Sequence, residues 1–310
     1  MRIKNNPKIF YLACGLLAEG DRRYDANDAE VAALALKIRR APVDSDILQW
    51  FNLAKTGQVG VNPYWPRGHS MLTGCFFFDD YFDVDSFSEF IEGTNMADPI
   101  GPDEFKEWIG RLPLVLDYAE GKFRDFWKEY CAIVISRMAS WMAEIEASHL
   151  PLKEFFGKAV PNLVFAPNLF ASPFAADFVR TPDDGIIVIA CKPDVETILH
   201  EALHIEIAKH RSNIMNFAER YGIKGFANAH KMKQLGYMPS DSPISAGHVI
   251  EECFVRVLSV ILSGGGEKRL QGHVRQGFSG LPAIAKYFKN HRPTSDSLGE
   301  FIDIILKGMV

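Results

Sequence analysis

Apolar residues recur at intervals of three and four along most of this chain, which is the period of a helix that buries one face. Residues 28–40 carry this pattern and stop at Ala41-Pro42, and 44–55 repeat it. Residues 57–74 are rich in Gly, Pro and Asn and read as a loop holding Tyr64 and Trp65. Cys75-Phe76-Phe77-Phe78 with its acidic fringe (Asp79, Asp80, Asp83, Asp85) lacks the alternation of a calcium loop and reads as a solvated helix start. Residues 102–120 suggest a helix pair broken near Pro113. The longest periodic run is 122–148, with Phe123, Trp127, Tyr130, Val134, Met138 and Trp141 on one stripe.

The period then changes. Short extended segments at 162–166, 174–179 and 186–190, separated by turn residues, predict a small sheet. Helical spacing returns at 214–221, 226–235, 249–263, 281–289 and 298–307. The expected fold class is α+β, mostly α. No linker is long enough to separate independent domains. The expectation is therefore a helical N-terminal region, 1–158, packed on a second region, 159–310, as one continuous unit.

Composition narrows the functional classes. With 47% hydrophobic residues and a formal charge of −5, the chain gives no reason to expect nucleic acid or an anionic membrane as partner. Five scattered cysteines suggest a reducing compartment and no disulfide framework. Arg2, Lys4 and Lys8 before the apolar run 9–18 imitate a signal peptide. That run is only ten residues, and Glu19-Gly20-Asp21 follows in place of a small-x-small cleavage site. A first structural element in a cytoplasmic protein is expected, with export as the alternative. No stretch suits a membrane span, since the most apolar helix carries Arg256.

The chemistry concentrates at His200-Glu201-Ala202-Leu203-His204. Residues four apart share one helix face, so His200 and His204 can turn imidazole nitrogens to one Zn2+, with Glu201 beside them as general base. Lys192-Pro193-Asp194 supplies the turn and N-cap before this helix, and its broad apolar surface places the histidines inside.

A third ligand must come from elsewhere. His210 stands six after His204, a spacing similar to that of the third histidine in the metzincins, but that likeness implies a glycine at the turn three residues after the second ligand, and here the position is Ile207, which resists left-handed backbone. The stronger candidates are Glu251 and Glu252. Dipole caps are the plain reading of two acids opening an apolar helix. Against that, His248, Glu252 and Arg256 fall at intervals of four, and Arg256 could hold an inward Glu252 ionised. Glu252 is the preferred ligand, with Glu251 the alternative if that stripe is solvated.

The extended segment 186–190, the His-Glu-x-x-His helix and a later helix offering glutamate together resemble the gluzincins, the thermolysin-like zinc metallopeptidases. The likeness covers roughly residues 160–263 and is specific only in the motif. In that class an acid four residues after the glutamate ligand supports a histidine; here that position is Arg256. The resemblance implies a zincin-like core and hydrolysis of a peptide or protein substrate, with Glu201 activating water. It also implies a group that stabilises the oxyanion, for which His248 is preferred over Tyr221, His230 and Tyr237. The competing expectation is a zinc-binding interaction protein with little turnover. A deformylase-like site would need Cys191 as ligand, without the surrounding motif.

Overall fold

The apolar periodicity becomes helix nearly throughout. The computed structural model describes residues 2–20, 28–56, 67–80, 83–93, 102–157, 162–171, 176–180, 185–235 and 243–309. Their contacts divide the chain into two units. The first holds α1 (Pro7–Ala18), α2 (Ala29–Arg39), α3 (Ser45–Thr56), α4 (Arg67–Asp80), α5 (Val84–Gly93), α6 (Pro102–Gly110) and α7 (Leu112–Phe156) as far as Ala143. It also holds the strands β1 (Arg2–Ile3), β2 (Leu163–Pro167), β3 (Ala176–Arg180) and β4 (Ile186–Ala190). The second takes the rest of α7 and α8 (Val195–Ala208), α9 (Arg211–Tyr221), α10 (Ala229–Leu235), α11 (Pro243–Leu262), α12 (Glu267–Gln276), α13 (Leu281–His291) and α14 (Leu298–Gly308). The fold is α+β and mostly α.

In the first unit the sheet order is β1-β2-β4-β3, with β1, β2 and β4 parallel and β3 antiparallel at the edge. Every residue of β2 and β4 is buried, which explains why both read as unbroken apolar runs and not as alternation. Helix α7 is tied to the end of β2, where Tyr130 Oη donates to Pro167 O at 2.8 Å and the Trp141 ring meets Phe165 edge-on. Trp50 and Trp108 stack at 4.8 Å, and each indole N–H donates to the other residue's carbonyl, so both polar tips are satisfied in the core.

The run 9–18 is α1, buried from Ile9 to Leu17. Asn6 caps it by accepting from Lys8 N, and Pro7 opens it at a position where no N–H is needed. Gly15 is required by close approach: a Cβ there would stand 2.0 Å from Phe51 Cζ of α3. Gly15→Ala is therefore expected to destabilise the protein by about 1–3 kcal/mol through overpacking, read as a lower thermal midpoint. Relief by a second change, Phe51→Leu, would confirm the cause.

Several boundaries differ from expectation. Residues 57–66 of the expected loop lie outside the described residues, but 67–74 are helix. Low-propensity residues such as Thr73 and Gly74 are carried into α4 because Met71, Leu72, Cys75, Phe76, Phe77 and Phe78 are all buried. The aromatic run thus ends a helix, and it is Asp83 that starts the next, accepting from the backbone N–H groups of Asp85 and Ser86. The break expected at Pro113 falls at Arg111, since Pro113 is the second residue of α7. That helix then runs 45 residues, through Pro151 and past the expected end of the periodic run at 148. Helix α11 begins at Pro243, six residues before the expected 249, and α12 was not expected at all. No helix among the described residues is long and apolar enough to cross a membrane.

Candidate metal centre

The site is built where α8 packs against α11. Asp194 caps α8, accepting from Thr197 N at 3.0 Å and from the Thr197 hydroxyl at 2.8 Å. Ile198, Leu199, Ala202, Leu203 and Ile207 are buried, as are Val249, Ile250, Phe254, Val257 and Leu258 of α11. Apolar packing fixes the two helices on either side of a polar seam. Because α11 starts early, Glu251 and Glu252 sit well inside it, so the dipole-cap reading does not apply to them.

Three atoms converge in that seam. His204 Nε2 lies 3.2 Å from His200 Nε2 and 3.2 Å from Glu252 Oε1, and His200 Nε2 is 3.8 Å from the same oxygen. Nitrogen and oxygen ligands held about 2.0–2.1 Å from a tetrahedral zinc stand about 3.3 Å apart, and a point about 2.1 Å from all three atoms lies just off the plane of this triangle, leaving its outer side open. The two-imidazole, one-carboxylate donor set fits zinc. Among the described residues it is the one such group that could hold a metal ion.

His204 and Glu252 have support behind them. The other nitrogen of His204, Nδ1, faces Glu251 Oε1 at 3.3 Å, and Arg211 grips both oxygens of Glu251 at 3.1 Å. Glu251 thus faces the outer nitrogen of His204, a contact that the resemblance implies for an acid four residues beyond Glu252 and that its immediate neighbour makes here. Arg256, which occupies the expected position, donates from Nε to Glu252 Oε2 at 2.8 Å. Sequence reasoning missed Arg211, 40 residues from its partner, and also Glu196 and His273, which stand behind Arg256. Glu196 alone carried a local signal, one turn before His200 on α8.

The charges follow from this geometry. Burial disfavours a proton on His200, and the cation at His204 adds to that, so its pKa drops to about 4. Burial opposes charge on His204 as well, but hydrogen bonds to Glu251 and Glu252 overcome it and raise the pKa to about 10. Burial would raise both carboxyls; His204 and Arg211 hold Glu251 down at about 2, and Arg256 with the histidines holds Glu252 well below its ordinary value. At neutral pH the metal-free imidazole pair therefore carries one proton beyond its neutral complement, on His204.

Two consequences can be measured. Any divalent cation that takes His204 must displace that proton, so titration calorimetry at pH 7.5 in buffers of differing ionisation enthalpy should report release of about one proton per ion. The metal-free fold should also depend on pH. The stabilisation from His204 is complete below 6.5 and lost as pH rises through about 10. On the acid side the unfolded chain protonates His200 first, between 6.5 and about 4, and the Glu251 contribution, present above 4.5, is lost toward about 2. The cluster's contribution should peak near 6.5, seen as the gap in thermal midpoint between parent and a His200→Asn, His204→Asn variant from pH 4 to 10.

The remaining expected residues are dispersed. Glu201 is buried on α8, in the electrostatic field of His204. His248 is exposed one turn before Glu252, in the field of His204, Glu251 and Glu252. His210 is not in the group: α8 continues through Ile207 to Ala208, and the His210 ring packs on Gly299 of α14. Tyr221 is exposed with its ring on Phe217, His230 is exposed beside Gln234, and Tyr237 lies outside the described residues. Cys191 is buried just after β4, and the three-residue group does not include it. Compared with family models, curated proteins and solved structures, the chain matches none, and the reading of the site rests on its own geometry.

Proposed function

We propose that this chain is a zinc-dependent peptidase in which His200, His204 and Glu252 hold one Zn2+ and Glu201 is the general base. The observation that carries the reading is the convergence of His200 Nε2, His204 Nε2 and Glu252 Oε1, with edges of 3.2, 3.2 and 3.8 Å, near the spacing of zinc ligands. Three protein ligands suit a catalytic centre, whereas structural zinc is closed by four, usually with thiolates. Cys253, beside Glu252, is no thiolate: burial pushes its pKa far up, and its Sγ turns to Phe226 O.

Bound there, zinc supplies an acidified water and a Lewis acid for a carbonyl oxygen. Glu201 stands three residues before His204 on α8, a spacing that makes the two side chains neighbours on the helix surface. Its carboxylate takes the proton of the attacking water and hands it to the departing amide nitrogen. Glu251 and Arg211 keep His204 turned with Nε2 toward the ligand group. His248, exposed at the rim, is assigned to the oxyanion. The substrate class is a peptide or protein.

The test is zinc content by mass spectrometry together with cleavage of a quenched peptide library, before and after chelation. One zinc per chain and cleavage restored by zinc are expected. Zinc without cleavage of any library member would favour the interaction protein, and failure to take up zinc would overturn the metal site.

A further inference from the structure

Glu252 offers only one oxygen to the ligand group. Its Oε1 faces both histidines, while its Oε2 is held by Arg256 Nε at 2.8 Å. A carboxylate free at both oxygens can bind a cation through one or two of them; one whose second oxygen is tied to a guanidinium binds through one. Arg256 is itself held on three sides. Its Nη1 lies 3.0 Å from His273 Nδ1. Gln276 Oε1 lies 3.2 Å from the same Nδ1, and the other ring nitrogen, Nε2, stands 3.6 Å from Glu196 Oε1. Glu196 is in turn paired with Arg269, and the Phe278 ring lies 4.5 Å under the Arg256 guanidinium. The chain of contacts runs from the ligand group to the surface: Glu252, Arg256, His273, Glu196, Arg269.

We infer that Arg256, braced by His273 and Phe278, is a positioning residue that keeps Glu252 a one-oxygen ligand and so keeps the centre four-coordinate, with one place for water. The inference rests on the zinc reading above. It concerns the number of donor atoms and not simply the strength of binding. Removing a cation beside a divalent ion raises affinity, while freeing the carboxylate from its brace lowers order at the site; the two act in opposite directions. Coordination number is the quantity that distinguishes positioning from charge.

Cobalt(II) reports it directly, because four-coordinate Co2+ absorbs visible light far more strongly than the five- or six-coordinate ion. The full-length protein is loaded with Co2+ and compared with Arg256→Gln and with His273→Ala, which removes the outer brace from α12 without touching a ligand. The parent is expected to give the intense four-coordinate spectrum. Arg256→Gln should lose several-fold in visible absorption as Glu252 engages both oxygens, and His273→Ala should move the same way by less. A folded Arg256→Gln protein, or His273→Ala if the first does not fold, that keeps the parental spectrum would overturn the inference, even if its affinity changes. A parent that takes up no Co2+ would instead overturn the metal site on which it rests.

Discussion

Glu201→Gln is expected to bind zinc as the parent does and to lose peptide hydrolysis by on the order of a hundred- to ten-thousand-fold. The metal is retained because none of the three converging atoms belongs to Glu201. The fold is retained because Gln matches Glu in size and can hydrogen-bond in the buried position that Glu201 fills on α8. What disappears is the basic oxygen. Its loss acts on the step in which a proton leaves the attacking water, so kcat should fall far more than KM rises. The acid limb of the kcat/KM profile should also vanish from whatever activity remains. Zinc content and steady-state rates on one confirmed peptide decide the matter. Hydrolysis at the parental rate with zinc bound would remove Glu201 from the chemistry and leave the metal site standing.

Much of the architecture was legible because burial leaves a period. The strand at 186–190 was placed residue for residue, since five consecutive buried apolar residues between turns leave few alternatives. The helix bearing His200 and His204 was legible from Asp194 onward through its cap and apolar face. Helix α12 was illegible for the converse reason: Leu270 is its one buried residue, so no apolar repeat announces it. With α12 hidden, nothing pointed to His273 behind Arg256. Helix α4 misled because Gly74 and Thr73 resemble loop residues, and only the surrounding core, which buries Met71 through Phe78, makes them helical. The convergence of His200 and His204 with Glu252 was readable as spacing, four residues on one helix and a later acid. The partner of Glu251 was not, since Arg211 approaches it through tertiary packing alone.

Adjacent glutamates with different duties give the second large effect. Glu252→Ala removes one of three converging donor atoms. Zinc binding worth about 10–16 kcal/mol at four-ligand sites comes to about 3 kcal/mol per ligand, so its affinity should fall on the order of a hundredfold or more. Glu251→Ala leaves all three donors in place and removes the acceptor behind His204 Nδ1, a change that typically costs about 10- to 100-fold. Its heavier cost falls on the fold, because Arg211 of α9 loses the buried carboxylate of α11 that it grips with two hydrogen bonds. The two variants should therefore separate by what zinc does to each. At a concentration that saturates the parent, zinc should raise the thermal midpoint of Glu251→Ala, which starts low, and leave that of Glu252→Ala nearly unmoved. The opposite pattern would make Glu251 the ligand, with Oε1 reaching the metal in place of His204 Nδ1. The Arg256 clamp on Glu252 would then serve the fold and not the metal.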